Sequence, residues 1–217
     1  MEIFPDDLEP DETGLVALGG HLDSAILIEA YSKGIFPWTG AHPIPWYSPD
    51  PRMLLEPGKV YVSRSLEKLI RRGVFEVRED TRYATVMHRC AQMPRAGQPG
   101  TWITANMHRA YTELHKLGVT HSVETYQDGA LVGGLYGVAI GRAFFGESMF
   151  SEVSNASKVA LVHLCRRLAA RGYAFIDFQQ ETPHLRSMGA RPVPRAEFLA
   201  RLAEAVRHPN AWDLDPD

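Results

Sequence analysis

At 217 residues, with 45% hydrophobic and 10% aromatic content, the chain is long enough to bury one sizeable core and too apolar for a disordered segment. Its two cysteines, Cys90 and Cys165, fall in apolar helical patterns outside any CxxC, which argues against a disulfide framework or a cysteine zinc site. No apolar run approaches membrane-spanning length and the acidic start Met1–Asp7 lacks a basic leader region, so a cytoplasmic protein with no membrane contact is expected.

The net charge of −3 is unevenly spread. Residues 1–58 hold two basic and ten acidic residues, net −8, whereas 59–95 hold nine and four, net +5, and 96–217 are balanced. The chain is accordingly read as a small N-terminal domain, 1–58, and a larger domain, 59–217. Only the middle stretch, with Lys59, Arg64, Lys68, Arg71, Arg72, Arg78, Arg82, Arg89 and Arg95, is a candidate polyanion footprint; such runs are more often solvated helix faces.

In chain order, Asp23 or Ser24 caps a short expected helix with Ile26, Leu27 and Ala30 inward and Gly34 as its stop. Residues 34–52 carry five prolines, two tryptophans, a tyrosine and a phenylalanine, which predicts an ordered loop. Trp38 and Trp46 there are either a clasp on the main domain or a platform for a stacked base. Apolar periodicity predicts amphipathic helices over Ser63–Ile70 and Asp80–Gln92, a loop over Pro94–Gly100, and a helix capped by Thr104 through Met107, Tyr111 and Leu114 to Gly118. A hairpin then runs from His121–Tyr126 through the Asp128-Gly129 turn to Ala130–Ile140, and Gly141-Arg142 turns into Ala143–Ser148. A helix capped by Asn155 or Ser154, with Leu161, Leu164, Cys165 and Leu168 on one side, leads to a strand over Phe175–Gln179. Pro194–Val206 closes the chain with Phe198 and Leu202 inward, and the tail beyond His208 is expected to fray apart from Trp212.

A meander, a helix and a further strand give an α+β fold with a mixed sheet flanked by helices, the core order of acetyltransferase-like (GNAT-like) domains. The turn before the helix, Ser151–Ser157, lacks the glycines of a pyrophosphate loop, and Gly133, Gly134, Gly137 and Gly141 lie in or beside strands, so coenzyme A is disfavoured. Two strands flanking one helix can bring Glu147 and the Asp177/Gln179 pair to one crevice. His108, His115 and His121 show no ligand spacing, and no metal is expected.

The runs Gly-Leu-Val-Ala-Leu-Gly-Gly (14–20), Gly-Ile-Phe-Pro-Trp (34–38), Ser-Pro-Asp-Pro-Arg (48–52), Thr-Trp-Ile-Thr (101–104), Gly-Glu-Ser-Met-Phe-Ser (146–151), Asn-Ala-Ser-Lys (155–158) and Ile-Asp-Phe-Gln (176–179) stand in order along nearly the whole chain. In them the sequence resembles the bacterial leucyl/phenylalanyl-tRNA-protein transferases. It departs from that pattern at Tyr47, where the family often has Trp, and at Phe178, where it often has Cys. The resemblance implies transfer of leucine or phenylalanine, and also methionine, from aminoacyl-tRNA to proteins beginning with Arg or Lys, which enter N-end-rule degradation. An aminoacyl ester is already activated, so no cofactor is expected, and neither is a second copy of the chain.

On this reading Asp177 and Gln179 are the catalytic candidates, Gln179 holding the attacking amine through its carbonyl and Asp177 orienting this network and favouring loss of the proton. Glu147 with Asp177 selects the basic acceptor. Trp102, Phe145, Met149 and Phe150 are candidates for the aminoacyl side-chain pocket, Trp38, Trp46 and Tyr47 for the terminal adenosine, and Arg71, Arg72, Arg82 and Arg89 for tRNA phosphates. Plain core packing is the competing assignment for Met149 and the two phenylalanines. A coenzyme A-dependent N-acetyltransferase and a non-catalytic tRNA-binding module are the rival functions.

Overall fold

A computed structural model of the chain describes residues 3–5, 8–93 and 101–212. The expected loop at Pro94–Gly100, Arg95 with it, and the last five residues of the tail lie outside that range. The first strand, β1 (Leu15–Leu18), precedes α1 (Ser24–Ser32), whose N-cap is Asp23: its carboxylate accepts from the Ile26 N–H at 2.9 Å. Strands β2 (Phe36–Pro37) and β3 (Pro45–Tyr47) follow within the proline-rich stretch, and β1, β3 and β2 pair in that order as a small antiparallel sheet.

Next comes β4 (Arg52–Leu55), then α2 (Arg64–Arg71), capped by the Ser63 hydroxyl, then β5 (Glu76–Glu79) and α3 (Tyr83–Gln92). The α4 helix (Ala105–Lys116) is capped by Thr104 as expected. It leads into β6 (Thr120–Gln127), β7 (Ala130–Ile140) and β8 (Ala143–Ser151), the predicted meander. Helix α5 (Ala156–Ala170) and β9 (Phe175–Asp177) complete the strand-helix-strand unit. At the head of α5, Asn155 is left-handed (φ 70°) and makes no capping bond; the Ser151 hydroxyl accepts from the Ser157 N–H instead, at 3.2 Å. The chain closes with α6 (Pro183–Ser187), β10 (Arg191–Val193) and α7 (Arg195–Ala205).

Seven strands form the main sheet in the order β10-β4-β9-β8-β7-β6-β5, in which β8 and β9 are parallel and every other neighbouring pair is antiparallel. The fold is therefore α+β, a mixed sheet with helices on both faces. The small sheet ends at Tyr47 and the large one begins at Arg52, so the chain crosses between them at residues 48–51, ahead of the 58/59 boundary drawn from charge.

Apolar side chains fill both faces. Helices α1, α3, α4 and α7 cover Tyr136, Val138, Phe145 and Phe175 on one face, while α2, α5 and α6 cover Leu135, Ala139, Phe144 and Ile176 on the other. Each such fully buried Leu or Phe is worth about 1.5–3 kcal/mol. The two basic helices are thus in different layers: Leu66 seats α2 on one side, and Tyr83, Val86, Met87 and Cys90 seat α3 on the other. Arg71 and Arg72 do not share a surface layer with Arg82 and Arg89. Trp212 is buried, stacked on His121 with ring centroids 4.0 Å apart.

Candidate active site

The parallel pair β8/β9 is in register for three residues, Ala143 with Phe175 through Phe145 with Asp177, and no further. Beyond it the strands part, and a cavity of about 330 Å³ opens in the gap. The pairing of β8 with β7 slips there too: Gly137 faces Gly146 and Tyr136 faces Ser148, so Glu147 is an extra, unpaired residue. A β-bulge of this kind re-aims a side chain and is a common device beside active sites. It also reverses the alternation, so that Phe145 and Phe150, five residues apart, share one core layer while Phe144 and Met149 pack in the other.

Glu147 and Gln179 face the cavity together with Met149, Trp102 and Trp38. The apolar end is completed by Leu135, Leu164, Phe178 and Leu185, none of which stood out in the sequence as cavity residues. Phe178 points away from Asp177, as strand alternation predicts, yet it is a cavity wall; a Cβ on Gly146 would come within 2.7 Å of its ring. Phe145 and Phe150 are fully buried in the core and do not reach the cavity. Trp46 is likewise a core residue: it meets Phe4 edge-on at 5.0 Å and its indole N–H donates to the Gly19 carbonyl at 2.9 Å. Of the expected base platform only Trp38 lines the cavity, with the half-buried Tyr47 ring 5.2 Å away.

Asp177 is fully buried, at the closed base of the gap, and does not line the cavity. Arg52 grips it in a fork: Nε donates to Oδ1 at 3.3 Å, and Nη2 pairs with Oδ2. The third guanidinium nitrogen donates to the Gly34 carbonyl at 2.6 Å, and the plane lies 4.1 Å from the Phe198 ring centroid. Arg52 ends the Ser-Pro-Asp-Pro-Arg run directly before Met-Leu-Leu, and an arginine fixed against an apolar run is a sign of a buried partner. Asp177 Oδ1 also accepts the Gln179 N–H at 2.9 Å, and the Gln179 amide nitrogen donates to the Asp177 carbonyl at 3.2 Å. Gln179 is held in a left-handed backbone (φ 61°), a conformation that costs a non-glycine residue energy and clusters at functional sites. With its amide nitrogen spent on the main chain, the amide oxygen is the end left for a ligand.

Beneath Glu147 lie buried phenols. Tyr31 donates to Glu147 Oε1 at 2.8 Å and makes a short hydroxyl contact with Tyr111. Burial pushes the Glu147 carboxyl up to about 8; the Tyr31 hydrogen bond pulls it back, the negative Asp177 adds to the rise and Arg52 offsets it. Tyr31 and Tyr111 are raised well above the usual phenol range by burial and by Glu147. At the far end of the cavity His184 has a buried Nε2 with no hydrogen-bond partner among the described residues, and burial lowers its pKa, as does Lys158.

One polar cluster escaped the sequence spacing. Asp80, His115 and His121 bring their donor atoms within 4.8 Å of one another, because the chain turns between α4 and β6. Three of their four ring nitrogens are already engaged: His121 contacts Asp80 Oδ2 at 2.8 Å and the Gly118 carbonyl at 3.1 Å, and His115 Nδ1 contacts the Thr120 carbonyl at 2.7 Å. The cluster therefore ties the end of α4 to the sheet.

Comparison with known proteins matches two family models, "Leucyl/phenylalanyl-tRNA protein transferase" over residues 54–203 and its "N-terminal domain" over 20–50. Among curated relatives, the leucyl/phenylalanyl-tRNA--protein transferase of Thiobacillus denitrificans is 55% identical, with 94% of this chain and 91% of that one covered. The protein of the same name from Nitrosospira multiformis is 57% identical, with 90% and 84% covered. A bulged glutamate and a strained glutamine in a split parallel pair, beside an apolar hole and a half-buried indole, thus occur in a chain that belongs to the leucyl/phenylalanyl-tRNA protein transferase family, an aminoacyltransferase enzyme.

Proposed function

We propose that the protein moves leucine, phenylalanine or methionine from aminoacyl-tRNA to the α-amine of proteins that begin with Arg or Lys, marking them for N-end-rule degradation in the cytoplasm. It works as a monomer, with an acetyltransferase-like domain that includes β4 and a small N-terminal domain, ending where the chain leaves the small sheet at Tyr47, that supplies the wall carrying Trp38. No described helix is long and apolar enough to cross a membrane. The observation that carries this reading is the cavity in the β8/β9 gap, where a carboxyl and a free amide oxygen border an apolar hole of side-chain size.

The terminal adenosine lies against Trp38, backed by Tyr47, and the aminoacyl side chain enters the end formed by Met149, Leu164 and Phe178, with Trp102 alongside. A thioether at Met149 suits a hole that takes branched and aromatic guests. The acceptor's α-amine, deprotonated, hydrogen-bonds to the Gln179 amide oxygen. Its nitrogen attacks the ester carbonyl carbon, the carbon–oxygen bond to the ribose breaks, and the amine's proton ends on the released ribose oxygen. Because the ester is activated, positioning and proton transfer suffice. Asp177 acts at one remove, holding the Gln179 main chain while Arg52 holds Asp177. Glu147 releases its proton to solvent as the acceptor's cationic side chain pairs with the carboxylate.

Incubation with charged tRNAs and peptides that differ in their first residue tests this. Label should pass from leucyl- or phenylalanyl-tRNA to Arg- and Lys-initiated peptides and not to Ala-initiated ones. Gln179→Ala should abolish transfer with aminoacyl-tRNA binding retained; normal turnover in that variant would remove Gln179 from the mechanism.

A further inference from the structure

A second cavity, of about 550 Å³, lies on the other side of the loop that carries Trp38, between the start of α1 and α4. Ile44 and Ala110, both buried, give it an apolar floor, and Asp23, Asn106, Arg109 and Glu113 supply polar groups. The exposed imidazoles of His21 and His42 also border it, their ring centroids 6.3 Å apart.

The two cavities share both walls. The loop contributes Trp38 to the first and His42 to the second; the segment leading into α4 contributes Trp102 to the first, and the first turn of α4 contributes Asn106 to the second. Gly40 sits on the loop between Trp38 and His42 and packs closely on the start of α4. A Cβ on Gly40 would come within 2.3 Å of the Thr104 hydroxyl, and the Asn106 amide donates to the Gly40 carbonyl at 3.3 Å. A strand of nucleic acid whose last base rests on Trp38 therefore meets a second hollow, large enough for a nucleotide, bordered by the same loop.

The polar set there matches one base edge. Cytosine offers an amino group that carboxylates accept, next to two acceptors that a guanidinium can serve. Arg109 and Glu113 stand one turn apart on α4 and so point to the same side. Glu113 uses one oxygen on Lys116 at 2.7 Å, and Asp23 uses one to cap α1, which leaves each a second oxygen with no partner among the described residues. Arg109 spends one nitrogen on Asn106.

We propose that this cavity holds the cytidine preceding the terminal adenosine of aminoacyl-tRNA, its base edge met by Arg109 and Glu113 and its phosphate by His21 and His42. This rests on the reading above that the adenosine lies against Trp38. A uridine at that position would turn a carbonyl oxygen toward the carboxylate and be rejected. The site would explain how an enzyme that takes several aminoacyl-tRNAs can recognise the one single-stranded segment they share.

Three amide-linked, non-hydrolysable probes test the site: leucyl-adenosine, and the same molecule extended at its 5′ side by cytidine or by uridine. The added base-edge contacts should make the cytidine probe bind about tenfold tighter than leucyl-adenosine, with most of that gain absent for the uridine probe. Arg109→Ala and Glu113→Ala, both exposed positions, should bring the cytidine probe to the leucyl-adenosine level and leave leucyl-adenosine binding unchanged. Equal affinity for the cytidine and adenosine probes, or a gain that survives both substitutions, overturns the cytidine site alone. Leucyl-adenosine binding that ignores Trp38→Ala overturns the adenosine reading and this site with it.

Discussion

Asp177 and Glu147 are neighbouring acids with opposite fates, and each makes a different prediction. Asp177 is committed to Arg52 in the dry core, so Asp177→Ala leaves an uncompensated guanidinium and should cost about 3–5 kcal/mol in urea unfolding. Pairing it with Arg52→Met should restore most of that stability. If Asp177 serves by orienting Gln179, the double variant regains stability and stays inactive; recovered transfer would reduce the ion pair to scaffolding. Glu147 instead has a folded pKa of about 8, well above its value in the unfolded chain. Between about pH 5 and pH 8 the folded state binds the extra proton, so its contribution to stability falls as pH rises through that window. Glu147→Gln should flatten this slope, and unfolding midpoints from pH 5 to pH 9 read it directly; parallel profiles for the two proteins would mean that Glu147 titrates normally. Glu147, Gln179, Met149, Trp38 and Trp102 could be picked from residue type and motif. The roles of Phe145 and Phe150 could not, because the bulge at Glu147 changes which face each one takes and nothing in a single strand's alternation announces it.

At the scale of elements, the meander, α4, α5 and α7 were legible because long periodic runs end in capping residues or turn glycines. Six short strands, β1 to β5 and β10, were not, and three of them show why. β4 is Arg-Met-Leu-Leu, buried at every position, so it has no alternation to read. β5 is a polar edge of Glu-Val-Arg-Glu, and β10 contains a proline, both of which argue against a strand when read locally. The strand glycines, set aside in the sequence as no cofactor loop, prove to be packing devices. At Gly133 a Cβ would meet the Ala156 Cβ at 2.5 Å and the Thr125 hydroxyl at 2.8 Å, both atoms with little room to yield. Gly133→Ala should therefore lift the first turn of α5 from β7 and cost ~1–3 kcal/mol of overpacking. Since that turn adjoins the end of β8, transfer should weaken along with stability. Thermal unfolding and activity measured together check this, and an unshifted melting temperature would mean that α5 can move away at no cost.

For the whole molecule, charge counted along the sequence treats the basic middle segment as one footprint, and folding divides it between two layers. What a polyanion can use then depends on what each arginine already faces. On α3, Arg89 is paired with Glu152, and the helix starts beside Glu79, Asp80 and Glu124, whose carboxylate contacts the Arg82 N–H at 3.4 Å. On α2, Arg71 and Arg72 are exposed at the helix end, and Glu67, the helix's acid, is drawn away by Arg166 at 2.8 Å. A stiff acceptor stem cannot lie on both layers at once: its 3′ end, proposed at Trp38 and between α1 and α4, is on the α3 layer, so the less engaged α2 arginines meet phosphates only where the stem passes the edge of the sheet. Arg71→Ala with Arg72→Ala should weaken aminoacyl-tRNA binding at low salt and lower the slope of log Kd against log salt by up to about 1 for each phosphate no longer neutralised. The Arg82→Ala, Arg89→Ala pair should change that slope little, since removing Arg89 frees Glu152 and the two effects offset. Leucyl-adenosine, which lacks the stem, should bind both variants like the parent protein. A salt slope that falls only in the α3 variant would keep the whole stem on the layer of Trp38, away from the α2 arginines.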